Sequence, residues 1–153
     1  MKNSIKNIII VAICTLTMIS CSKDDANDNS SGTNANQMAS IAQNGTWRIT
    51  HFFDTDEDET SNFTGYQFSF RADGTLLATN GGTTVTGTWS IMDTNSASSS
   101  DEDFNIFFSV SDTSDFEDLN DDWDIISVSP TKIELIDISG GNGGTDFLTF
   151  EKS

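Results

Sequence analysis

The chain is poor in the residues that cross-link, ligate or attract phosphate. Its 153 residues include two cysteines, one histidine, one proline and seven basic residues. Cys14 lies inside an apolar run near the N-terminus, so once that run is removed Cys21 stands alone and no intramolecular disulfide can form. The fold must then rest on a packed core. One histidine, His51, is too few for a zinc site. No Gly-x-Ser-x-Gly motif occurs, so an activated serine is not signalled either. Twenty-four acidic residues against the seven basic ones give a formal charge of −17. Phosphate backbones and anionic headgroups are repelled by such a chain, which excludes nucleic acid as a partner. The expectation is a protein without catalysis.

What is present begins with an address. Lys2 and Lys6 precede Ile8 to Ile19 (IIIVAICTLTMI), an apolar run of signal-peptide length that is too short to span a bilayer. The closing residues Met18, Ile19, Ser20 and Cys21 resemble the bacterial lipobox, with Met18 where leucine is commonest. The resemblance implies cleavage before Cys21, acyl chains on that residue, and a partner in the membrane itself. Each buried methylene contributes about 0.8 kcal/mol, so two or three chains anchor stably. Ser22, Lys23, Asp24 and Asp25 resemble the short signal that sends Bacteroidetes-type lipoproteins to the outer face of the outer membrane. The expected location is therefore the outer membrane, lipid-anchored, at the cell surface. The mature chain would keep five basic and 24 acidic residues, a charge of −19.

Three segments follow from this reading: a signal peptide over 1–20, the lipidated cysteine and a flexible acidic tether over 21–37, and a β domain over 38–153. The tether has no large apolar residue and reads as disordered, with an r.m.s. span of roughly 25 Å to the first strand. A short helix is expected over Gln37 to Gln43.

From Trp47 the apolar period is two. Trp47, Ile49, His51 and Phe53 alternate with Arg48, Thr50 and Phe52, which predicts a first strand with the former set inside. Further runs fall at Tyr66–Phe70, Thr75–Thr79, Val85–Ile91, Phe104–Val110, Trp123–Val128, Ile133–Ile138 and Phe147–Phe150. Phe107 breaks the alternation of its run. Asp73-Gly74 is a hairpin signal. No helix is long enough for a crossover, so the prediction is all-β: a small eight-stranded antiparallel up-and-down barrel, with a β-sandwich as runner-up.

Asn44-Gly45-Thr46-Trp47, Phe68 to Thr75 (FSFRADGT) and Gly87-Thr88-Trp89-Ser90-Ile91 resemble the small lipocalin-like domains of Bacteroidetes lipoproteins. The resemblance covers roughly Ile41 to Lys152 and implies fold far more than activity. GTWRI at Gly45 recurs as GTWSI at Gly87. Both are expected to start strands, with glycine letting the Trp ring lie on bare backbone.

Eight-stranded barrels either fill with side chains or hold one small ligand. Trp47, Phe68, Phe70, Trp89, Phe108 and Trp123 are the candidate lining of a pocket for a small apolar ligand. The alternative is a cell-surface interaction or structural module that uses acidic loops on a protein partner. No cofactor is expected, unless the loops bind calcium weakly. Asp54, Asp56 and Asp58 alternate like calcium ligands, but Glu59 and Gly65 stand where the EF-hand loop needs Gly and Glu. Asp118, Asp122 and Asp124 repeat the spacing, with Trp123 at the glycine position.

Overall fold

Every apolar run with a period of two forms a strand. The structure is a computed structural model that describes residues 30–55, 57–93, 102–138 and 144–153. Its strands are β1 (Trp47–Asp54), β2 (Glu57–Asp58), β3 (Gln67–Phe70), β4 (Thr75–Asn80), β5 (Thr83–Asp93), β6 (Glu102–Phe108), β7 (Asp121–Val128), β8 (Lys132–Ile138) and β9 (Thr145–Lys152). Each pairs antiparallel with its neighbour in the order β1-β3-β4-β5-β6-β7-β8-β9, and β9 pairs back onto β1. That last pairing closes an eight-stranded barrel and rules out the sandwich. The two-residue β2 is an addition on the edge of β1, pairing Phe53 with Asp58. It consists of two exposed acids, so no hydrophobic pattern announced it.

The register differs from expectation in β1. A bulge between Ile49 and His51 shifts the pairing with β9. One extra residue exchanges the two faces of a strand. Trp47, Ile49 and Phe52 are therefore buried, while His51 is exposed. The inside placing of His51 and Phe53 is corrected accordingly: His51 stacks on the outer wall against Phe53, with ring centroids 6.4 Å apart. A second bulge, between Ile125 and Ser127 of β7, leaves Ile126 on the outside, 54% exposed.

The interior is aromatic. Phe70 meets Trp89, Phe104 and Phe150 edge-on at 5.2–5.4 Å between centroids. Phe68 meets Phe150 the same way at 5.3 Å. Such pairs add about 0.5–1.5 kcal/mol each beyond area burial. The seam between β1 and β3 has a single registered pair, Trp47 with Phe68. A 3-10 turn, Thr60–Phe63, covers it: the Phe52 N–H donates to Thr60 Oγ1 (2.8 Å) and Phe63 is buried.

The barrel has two ends. At the basal end lie the start of β1, the end of β9 and the turns after β3 and β7. Helix α1 (Ser30–Ala42) meets the barrel there, packing against β5, with Ala42 in the core. It begins at Ser30, earlier than the expected Gln37. At the apical end lie residues 55 and 57–66, the turn at Gly81-Gly82 and the connection 109–120.

The two tryptophan repeats seal the basal half in the same way. The Trp47 indole N–H donates to the Ala42 carbonyl (2.8 Å), and that of Trp89 donates to the Arg71 carbonyl (2.9 Å). The glycine before Trp89 has a different role from the one expected. A Cβ on Gly87 would sit 2.5 Å from the Phe107 carbonyl oxygen and 2.6 Å from the Phe108 ring. The bare backbone thus admits β6 and Phe108, not the Trp ring.

Candidate functional site

The six residues expected to line a pocket are brought together inside the barrel. Trp47, Phe68, Phe70, Phe108 and Trp123 are at most 2% exposed and Trp89 is 7% exposed. Their surfaces are used on one another and on further rings: Phe70 on Trp89, and Phe68 and Phe108 both on Phe116. The Trp123 indole N–H is taken by the Leu119 carbonyl at 3.2 Å.

The basic residues on the outside are sorted by end. Arg48, Arg71, Lys132 and Lys152, the four basic residues among those described, all lie at the basal end. Arg48 pairs with Glu151 at 3.3 Å and Lys132 pairs with Glu134. The Lys152 ammonium stands 5.5 Å from the Trp47 ring centre. The apical end carries Asp54, Glu57, Asp58 and Glu59 in one segment and Asp112, Asp115, Glu117 and Asp118 in another, with Asp121, Asp137 and Asp146 at its strand ends. Among the described residues no lysine or arginine stands with them.

This crowding has a cost that shows in the acids themselves. Burial first, then the charges of Asp118, Asp54, Glu57 and Asp115, pushes the Glu59 carboxyl above its ordinary value. Its Oε2 is buried and has no hydrogen-bond partner. Burial, then Asp54, Glu117 and Asp115, raises Asp118. Burial pushes Asp121 up to about 6, with Asp137 and Asp122 adding to it. Asp58 alone is lowered here, by hydrogen bonds from Thr60. Backbone strain sits in the same place. Thr55 has φ +49°, a left-handed conformation that β-branched residues rarely adopt, and its N–H donates to Asp146 Oδ1 at 2.7 Å.

Of the calcium candidates, Asp54, Asp58 and Asp118 share this end, whereas Asp122 and Asp124 point outward along β7, where Asp124 stands opposite Asp103 of β6. The spacing 118–124 runs from a loop into a strand, so its carboxylates do not converge. Among the described residues no group of three or more His, Cys, Asp or Glu is placed to hold a metal ion. Asp56 lies outside the described residues, as do Cys21, Ser22, Lys23, Asp24 and Asp25. No helix among the described residues is long and apolar enough to cross a membrane.

Phe107, the residue that breaks the alternation of β6, is 56% exposed. Two open depressions flank it. One, of about 310 Å³, is bordered by Asp73, Gly74, Thr88 and Ser90. The other, of about 520 Å³, is bordered by Glu117, Asn120, Asp121 and Asp122. Asn105, Ile106 and Phe107 belong to both.

No family model matches the chain, and no curated protein is significantly similar to it. Among solved structures it is similar to a DUF4847 family protein from Bacteroides vulgatus, at 17% identity and a TM-score of 0.48, over 74% of this chain and 96% of that one.

Proposed function

We propose that this is a lipid-anchored, non-catalytic interaction module of the outer-membrane surface, which meets its partner with the acidic end of a small lipocalin-like barrel. The observation that carries the reading is the placing of charge: the four described Lys and Arg residues lie at the end where α1 enters, and a crowd of carboxylates with no described Lys or Arg among them lies at the other. On a tether starting at Cys21, the apical end faces away from the membrane. Like charges held together against their own repulsion are a stability cost that a binding surface explains. A small apolar ligand inside the barrel would first have to displace rings that are buried against each other, which favours the outside.

Two measurements test the reading. Radiolabelled palmitate should enter the full-length protein in cells and be absent from Cys21→Ser, which should leave the membrane fraction. Protease added to intact cells should cleave the wild-type domain. Label on the Cys21→Ser protein, or full protection from protease in intact but not lysed cells, would contradict the proposed address.

A further inference from the structure

We propose that the outer wall around Phe107 docks a basic segment of a protein partner, with a lysine or arginine side chain lying over the Phe107 ring and its charge among Glu117, Asp121 and Asp122. This deepens the reading of the acidic end as an interaction surface and rests on it.

Three observations converge. First, Phe107 offers a bare aromatic face. Its inward neighbours Ile106 and Phe108 are 3% and 1% exposed, whereas Phe107 is 56% exposed. An aromatic face attracts cations through its quadrupole, and arginine most often. Second, the ring stands between two depressions that share Asn105, Ile106 and Phe107 as a common border, and the two together are the trough that the segment would follow. Third, the trough is charged in one sense. Glu117, Asp121 and Asp122 border the larger depression, and among the described residues no lysine or arginine borders either. Arg71 acts on Asp73 beside the smaller depression, so the cation belongs on the Glu117 side.

The main chain explains why side chains would carry the contact. β6 pairs with β7 only as far as Ile106 opposite Asp121. Beyond that point the Asn120 side chain takes both the N–H and the C=O of Phe108. The strand edge is thus satisfied internally, and an added β-strand has little to pair with there. Charge complementarity makes the occupant basic. The trough's extent beyond a single ring suits an extended segment with a cation flanked by small residues.

The test is fluorescence anisotropy with a labelled ten-residue peptide of alternating arginine and serine, on the full-length protein in detergent at low salt. Binding is expected, with at least a fivefold loss in Phe107→Ala and recovery in Phe107→Trp, both at unchanged Tm because the side chain is exposed. A citrulline version of the peptide should not bind. If Phe107→Ala binds as wild type while Glu117→Gln/Asp122→Asn does not, the acids act without the ring: docking over Phe107 is overturned and the acidic-end reading survives. If wild type does not bind, both fall. If Phe107→Ala instead abolishes self-association of the protein, the occupant is a second copy and the proposal is overturned.

Discussion

The two ends of this barrel differ in charge: among the described residues the basal end mixes acids with all four Lys and Arg residues, and the apical end has acids without them. At the basal end indole N–H groups meet carbonyls, Arg48 meets Glu151, and Lys132 meets Glu134. At the apical end carboxylates face carboxylates, a Glu59 oxygen is buried without a partner, and Thr55 is held in a left-handed conformation. The strands between them are common to both ends. The difference lies in what caps the strands at each end.

The largest effect should come from the basal end. Trp47→Ala removes a ring with 0% exposure and leaves the Ala42 carbonyl unpaired. A loss of about 3–5 kcal/mol in urea unfolding is expected. A loss below 1 kcal/mol would mean that the basal seal is not what holds the barrel shut.

The strands were legible because burial on one face writes a period of two into the sequence, which β1 and β7 break only at their bulges. The bulge after Ile49 was not legible. It is a backbone event, and Thr50, His51 and Phe52 fit either face by composition. Phe107 was visible as a break in the alternation, but only the fold placed Glu117 and Asp121 beside it. The separation of charge could not be read at all. Arg48, Arg71, Lys132 and Lys152 are scattered along the chain, and antiparallel closure alone gathers them at one end.

The apical end should respond with the opposite sign. Glu59→Gln removes a crowded charge and should stabilise the protein at pH 7 by about 0.5–1 kcal/mol. A destabilised variant would mean that Glu59 has a favourable partner. The same crowding sets the pH dependence. Glu59, Asp118 and Asp121 are raised, so the folded state binds their protons more tightly than the unfolded chain, and their contribution to stability declines as pH rises. For Asp121 the decline runs from its ordinary 3.8 to about 6. Asp58, Asp73 and Glu134 are lowered, so what they contribute is present above their ordinary values and is lost as pH falls. Thermal stability should thus peak in mildly acidic solution, and Asp121→Asn should flatten the fall between pH 4 and 6. A maximum above pH 7 would contradict this assignment.

The smallest effect tests the basal end again. Arg48 and Glu151 are 55% and 41% exposed, and Glu151→Gln should cost no more than about 0.5 kcal/mol. A larger cost would show that basal ion pairs, and not the aromatic seal, distinguish the two ends.

The measurement that bears most directly on the whole account combines stability with binding in one variant. Glu59→Gln/Asp118→Asn/Asp121→Asn should melt about 5 °C higher than wild type at pH 7, and should bind the arginine–serine peptide more weakly. A lower melting temperature, or unchanged peptide binding, would show that the apical carboxylates are not held together at the expense of stability for the sake of a partner.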